Sequence, residues 1–331
     1  MKEVIFPELR APLMGPPVIR KNGIIIDEGG EMSVFVRGGR LMGLMNYWGG
    51  YEGYPGACAV IFDYFTGEAF PPFGRPGCYF YQAYCQAYCQ ADCRADCRGE
   101  RVYVYAAEDN RVIQFVSDDL VHWEESVALE FPETFKCHNT AVCRGDDGYV
   151  MVIECGEAMH DQDPVQAQLE NPYIGVRFTE FFATSPDLVH WTLMPFDKAY
   201  TKERYNACPA LKFCDGYYYM ICLESLPCAR WAPYIYRTAD FDTWEIGYYN
   251  PLFIPSREDL YPKEGVTLSE EARAVNFRHL NVNNSDIDLC EYEGKTYIVY
   301  ASGNQGVTWG GLYCEAVYDG PLNDFLRANF S

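Results

Sequence analysis

Ser117-Asp118-Asp119-Leu120-Val121-His122-Trp123 returns as Ser185-Pro186-Asp187-Leu188-Val189-His190-Trp191, and again, with more substitutions, as Thr238-Ala239-Asp240-Phe241-Asp242-Thr243-Trp244. A fixed phrase recurring at roughly 50 to 70 residues marks one structural unit used several times. Each copy follows a β-rich stretch and precedes a new one. Its Ser and Asp suit a tight turn. Its Trp offers a large face that packs between neighbouring sheets. The phrase therefore follows the third strand of a unit and fixes the phase of the whole chain.

Five segments share one plan: a short polar entry, an apolar run, a Gly turn and an aromatic or β-branched return. The entry strands are residues 31–36, a segment containing Gln82-Ala83-Tyr84, and residues 138–143, 206–213 and 284–290. The turns fall at Gly38-Gly39, Asp146-Asp147-Gly148, Asp215-Gly216 and Glu293-Gly294, and Asp-Gly between apolar runs is a strong hairpin signal. Five units of four short strands predict an all-β fold, a five-bladed β-propeller of four-stranded antiparallel blades. No linker splits residues 1–331, so a single domain is expected. Residues 255–276 break the pattern as a long inter-blade loop, with a short helix started by Thr267 or Ser269 as N-cap. Residues 321–326 read as a C-terminal helical turn.

Composition agrees. The 331 residues are 49% hydrophobic and 16% aromatic, enough for a large core rich in strand-forming Tyr and Phe. The formal net charge of -21 repels phosphate backbones and anionic lipid, which argues against nucleic acid and membrane surfaces as partners. A neutral sugar is compatible with it. The first residues lack the basic-then-apolar run of a signal peptide, and no stretch approaches a transmembrane length of about 20 apolar residues. Fifteen Cys, an odd number scattered through strand-like segments, fit a reducing cytoplasm where Cys acts as a small hydrophobe. The oligomeric state is open, a homo-oligomer included.

One segment departs from the plan. Residues 83–98 read Ala-Tyr-Cys-Gln twice and then Ala-Asp-Cys-Arg twice, an insertion of about twelve residues into the second unit. On a helix, Cys85, Cys89, Cys93 and Cys97 would line one stripe and could form a thiolate metal site. Zinc sites use tighter Cys-x2-Cys pairs on turns, which favours a duplicated segment in a protruding helix or loop. No metal ligands are assigned there.

The Trp phrase, the five-unit plan and the fifth unit together resemble the five-bladed propeller glycosidases: the arabinanase and β-xylosidase type (family 43), the invertase type (family 32) and the anhydro-galactosidase type (family 117). The resemblance spans roughly residues 30–315. Asn283-Asn284-Ser285-Asp286-Ile287-Asp288-Leu289-Cys290-Glu291-Tyr292 looks like the signature of a bacterial branch of these enzymes. The resemblance implies carboxylates at the axial ends of the innermost strands, one as base, one as acid and a third orienting the acid. An inverting pair needs about 6.5–9.5 Å between acid and base to admit a water.

The carry-over is incomplete. Glu31-Met32 stands where the family has its Asp-Pro base, so Glu31 is the candidate base. Asn139 replaces the orienting Asp of the third blade and cannot ionise. Ala207-Cys208-Pro209 replaces Glu-Cys-Pro, so the usual acid is missing. The fifth blade offers Asp286 and Asp288, expected to point the same way because they are two apart in a strand. Two carboxylates together raise one pKa, which suits a general acid. The bland alternative is a turn cap at Asp286 and a backbone partner at Asp288. Glu154 and Glu224 end apolar return strands as either site groups or satisfied sheet-edge residues.

Expected substrate-binding groups are His138, Asn139, Asn206, Asn284, His279 and Gln305, with Trp48, Tyr47, Trp231 and Trp309 as stacking faces or blade packing. A His acts as the acid in the anhydro-galactosidase type, which adds interest to His138 and His279. No cofactor is expected to be required, and the resemblance admits a structural Ca or similar ion on the axis.

The function implied is a cytoplasmic glycosidase that removes a terminal furanoside or anhydro-sugar residue from short oligosaccharides, inverting rather than retaining. Loops 155–180 and 225–235 would crowd the axis into a pocket, with residues 159–164 as its cover. The alternative is a non-catalytic carbohydrate-binding propeller, which Ala207 and Asn139 favour. A protein-interaction propeller fits less well, because its repeats match one another more closely.

Overall fold

The computed structural model describes residues 4–5, 16–86, 100–157, 178–201, 205–226, 230–278, 283–304 and 308–330. The innermost strands of the five sheets are Met32–Arg37, just after Glu31, Tyr79–Gln86 and Phe135–Gly145, which begin three residues before the expected Gln82 and His138, Asn206–Cys214, and Asn283–Tyr292, which begins one residue before the expected Asn284. Each is followed by two antiparallel neighbours, and the sheets stand in a ring as a five-bladed β-propeller. Blade 1 has three strands, and its fourth edge is reduced to two isolated bridges, Ala59 to Phe73 and Phe62 to Ala69. Blade 5 takes its outermost strand, Ile19–Ile26, from near the start of the chain, which closes the ring.

The repeated phrase makes the same turn three times. Ser117, Ser185 and Thr238 hydroxyls accept the amides of Leu120, Leu188 and Phe241 at 2.8–2.9 Å. Asp119, Asp187 and Asp240 each accept two further amides at 2.8–2.9 Å. Leu120, Leu188 and Phe241 all take a left-handed φ of 60–68°. The three Trp residues then reach back to the preceding blade. Trp123 stacks on Phe73 at 3.9 Å, Trp191 meets Tyr105 edge-on at 5.7 Å, and Trp244 lies 5.8 Å from Phe182. Five apolar clusters fill the five blade interfaces.

Ser269 caps the helix Glu270–Arg278, its hydroxyl accepting the Ala272 amide at 3.1 Å. The chain ends in the helix Leu322–Ala328. The helical stripe considered for the cysteine insertion is corrected at its start. Residues 83–86 belong to the strand Tyr79–Gln86, where apolar and polar positions alternate across the sheet. Cys89, Cys93 and Cys97 lie outside the described residues. Burial pushes the Cys85 thiol up to about 12, away from the thiolate a metal needs. No helix among the described residues is long and apolar enough to cross a membrane.

Candidate active site

Four of the five inner strands carry the same defect near their axial entry. Two residues on the inner strand face one on the return strand at Phe80-Tyr81, His138-Asn139, Cys208-Pro209 and Asp286-Ile287. Such bulges re-aim side chains and end pairing locally. Phe80, Cys208 and Asp286 take left-handed φ values of 51–58°, which few side chains adopt without compensation. Three of the bulges turn Asn139, Cys208 and Asp286 toward the axis. Blade 1 has no bulge and presents Glu31 just before its first strand.

The bulge corrects the expectation that Asp286 and Asp288 share a face, because one extra residue breaks the period of two. Asp286 turns to the axis. Asp288 turns between blades 1 and 4, where it accepts the Val34 amide at 2.9 Å and pairs with Lys212 at 3.2 Å.

Glu31, Gln82, Asn139, Cys208, Asp286 and Asp288 line a cavity of about 20 Å³. That is room for one water. A second cavity of about 330 Å³ lies further along the inner strands, lined by Val34, Ala141 and Lys212 among others, and shares Gln82 and Asp288 with the first.

Glu31 and Asp286 hydrogen-bond side chain to side chain, so the pair shares a proton. Burial, then the Asp286 and Glu154 charges, push Glu31 well up. Burial also raises Asp286, but Cys208, Ser285 and Glu31 hydrogen-bond to its ionised form. Glu31 is thus the protonated member and Asp286 the carboxylate, as expected when two carboxyls crowd one site. Burial on blade 5 pushes the Tyr313 phenol up, and the Asp286 and Glu31 charges add to that shift.

Glu154 comes from the second strand of blade 3 and reaches across to blade 4. It accepts the Cys208 amide at 2.8 Å and the Asn139 side-chain amide at 3.2 Å. Burial outweighs these donors and raises it to about 7. It therefore stands beside Ala207-Cys208-Pro209, the segment that lacks the expected acid.

The other candidates are placed as follows. Glu224 is buried behind this group, accepting Asn206 Nδ2 at 3.1 Å and the Tyr236 hydroxyl at 2.7 Å. Asn206 is buried with it. Asn284 lies away from the cavity, its amide spent on Lys21 at 2.8 Å and Asp259 at 3.1 Å. His138 is buried between Phe80, 5.3 Å away, and Phe178, 4.9 Å away. Trp48 is 36% exposed and edge-on to Phe80 at 6.3 Å. Its indole lies against Gly30, where a Cβ would come within 2.6 Å of the ring. Tyr47 is half-buried against Tyr51, and Trp231 is half-buried on the third strand of blade 4. His279, Gln305, the Trp309 side chain and residues 159–164 lie outside the described residues.

Sequence reasoning missed Cys208, Gln82 and Glu180 as members of this neighbourhood. Glu180 had a signal: it is a lone acid in the strand Phe178–Ser185, among Phe178, Phe181 and Phe182. Among the described residues no three acidic, His or Cys side chains are placed to hold a metal ion. Burial also keeps the Cys208 thiol protonated.

The five-bladed ring has counterparts among solved structures. The chain has the fold of the glycoside hydrolase propellers. It is similar to a protein described as a glycoside hydrolase, with a TM-score of 0.55 at 12% identity over 92% of both chains. It is also similar to the α-L-arabinofuranosidase of Podospora anserina in complex with cellotriose, with a TM-score of 0.54 at 10% identity over 92% of this chain and 94% of that one. An endo-1,4-β-xylanase from Bacteroides thetaiotaomicron gives 0.53 at 11% identity over 90% and 91%. At these identities the likeness is one of fold. No family model and no curated protein matches the chain.

Proposed function

We propose that the chain is a glycoside hydrolase that removes a terminal furanoside or anhydro-sugar residue from a short oligosaccharide. The observation that carries this is the convergence of Glu31, Asp286 and Glu154, from three blades, on one end of the axis. Glycoside hydrolysis needs one carboxyl that gives a proton to the leaving oxygen and one that stays ionised. Here the environments separate those roles. Asp286 is the ionised partner of a proton-sharing pair and serves as the base that activates water. Glu31 holds the pair's proton and keeps Asp286 aimed. Glu154, pushed up to about 7, is the proton donor in place of the acid missing at Ala207. Trp48 offers an exposed ring face beside Glu31 for a sugar to stack on. An inverting course follows if a water is the nucleophile.

Ala207 favours a second reading, a propeller that binds sugar without cleaving it. A panel of aryl glycosides separates the two. Turnover that disappears in Asp286→Asn supports the hydrolase, and the anomer first released, followed by NMR, gives the stereochemistry. Binding of oligosaccharide with no turnover at high enzyme concentration leaves only the second reading.

A further inference from the structure

Blades 3 and 4 meet across an apolar interface that includes Val152, Phe182, Cys222 and Tyr236. Side chains two apart in a strand share a face, so Glu154 continues the row of Val152, Glu180 that of Phe182 and Glu224 that of Cys222. At its axial end this dry interface therefore finishes in three carboxyls. Two of them have donors. Glu154 accepts the Cys208 amide and Asn139, and Glu224 accepts Asn206 and Tyr236. Among the described residues Glu180 has none: it is fully buried, and neither of its oxygens meets a hydrogen-bond partner there.

Glu180 is paired in register with Glu154 on the adjacent strand. Directly opposed side chains have Cβ atoms about 4.5–5.5 Å apart. Among the described residues the titratable groups facing Glu180 are Glu154 from its own blade and Glu224 from blade 4, with Tyr236 behind the latter and Cys155 alongside. None of them is a cation. A bare carboxylate in that setting is far too costly to persist, so Glu180 is a neutral acid. A neutral carboxyl has one O–H to donate, and the acceptor opposite it arises whenever Glu154 ionises.

We propose that Glu180 is a positioning residue for Glu154, a permanently protonated carboxyl whose O–H turns onto the Glu154 carboxylate when Glu154 releases its proton. This rests on Glu154 being the proton donor of the proposed reaction. The proton that moves to the leaving oxygen comes from Glu154. Glu180 keeps its own proton and supplies a hydrogen bond that exists only after transfer, which favours the transition state over the ground state. The attacking water gives its proton to Asp286, Asp286 passes it to solvent, and Glu154 takes a proton back from solvent.

Infrared difference spectroscopy of the full chain tests the protonation without requiring activity. At pH 8 the native protein should show a carboxylic acid C=O band that Glu180→Gln lacks. Absence of that band overturns the proposal. Glu180→Leu removes the donor, so Glu154 should titrate higher than in the native protein, and an unmoved or lower titration also overturns it. In kinetics Glu180→Leu should lose roughly tenfold to a hundredfold in kcat with KM little changed, the worth of one hydrogen bond to a charged group. Glu180→Gln, whose amide still donates, should restore kcat to within about threefold of the native value, since its N–H replaces the lost O–H. Native kcat and pH profile in Glu180→Leu would sink the role. A chain with no turnover in any form, but with the infrared results as expected, would leave Glu180 protonated opposite Glu154 and count against the hydrolase reading alone.

Discussion

The Glu154 carboxylate on blade 3 accepts the backbone amide of Cys208 on blade 4 at 2.8 Å. Cys208 sits at a bulge with a left-handed φ of 52°, so the contact ties a strained backbone to an acid on the neighbouring blade. One side chain thus serves two ends. It holds the bulge that turns Cys208 to the axis, and it brings a carboxyl to the place where Ala207 leaves none.

These two roles separate by substitution. Glu154→Gln keeps an acceptor for the Cys208 amide but has no proton to give. The expected result is a fall in kcat of about 10²–10⁴-fold with KM nearly unchanged, and thermal stability near that of the native chain. Glu154→Ala also strands the buried Cys208 amide and should cost about 1–3 kcal/mol in denaturant unfolding. Retention of native kcat by Glu154→Gln would remove Glu154 from the chemistry.

The Glu31–Asp286 pair makes a sharper division. Glu31→Gln preserves a donor toward Asp286, so the carboxylate stays aimed and activity should fall modestly, by about tenfold or less, given that a neutral donor of similar shape remains. Asp286→Asn removes the ionised group and should lower kcat by about 10²–10⁴-fold. Steady-state kinetics of the two variants decide the matter. A larger loss in Glu31→Gln than in Asp286→Asn would exchange the roles.

The fold was legible because the blade turn is local chemistry. Ser or Thr and Asp at fixed offsets make the same hydrogen bonds three times, with a Trp packing behind each turn, whatever the rest of the blade does. The Gly turns and Ser269 were readable for the same reason. The site was legible only in part. Glu31 follows from its place in the family resemblance and Asp286 from its place on the fifth entry strand, and the two do meet. The bulges have no periodic signature, so the facing of Asp286 against Asp288 could not be read from spacing. Asn284 looked axial by position, but a lysine nearly the whole chain away, Lys21, takes its carbonyl oxygen. Glu180 needed a partner strand before its isolation could be seen.

Ring closure gives a prediction independent of any chemistry. Lys21, on the strand that completes blade 5, pairs with the fully buried Asp259 at 2.9 Å. Asp259 also accepts Asn284, the Tyr300 hydroxyl and the Ser256 amide at 2.8–3.1 Å. Asp259→Ala leaves the Lys21 charge buried without its partner, and breaking such a pair costs about 3–5 kcal/mol. Lys21→Met strands the Asp259 carboxylate instead and should cost about the same. Denaturant unfolding of both variants checks this, and a loss below about 1 kcal/mol in each, the range of an exposed ion pair, would show that the strand is held by its backbone pairing alone.

Stability should peak on the acid side of neutrality. Burial raises Glu154 to about 7, and burial is also the first cause of the upward shifts of Glu31, Glu180 and Asp286. An acid whose pKa is higher folded than unfolded binds its proton more tightly in the native chain. Its contribution is complete below its unfolded value, about 4.5 for Glu, and is lost as pH rises through the folded one. For Glu154 that loss lies between about pH 4.5 and 7 and amounts to about 3 kcal/mol. Asp63 opposes it from below: the Thr66 amide is the main cause that holds it down at about 2, so its contribution is lost as pH falls from about 4 through 2. Asp119 and Asp187 are likewise held low by hydrogen bonds within their turns. Thermal melts should therefore give a higher Tm at pH 5.5 than at pH 8.5. The double variant Glu154→Gln/Glu180→Gln should flatten that alkaline slope, because neither amide has a proton to lose. A native Tm that rises between pH 5.5 and 8.5 would mean that these carboxyls ionise in the folded chain without penalty, and the buried acid layer between blades 3 and 4 would have to be solvated.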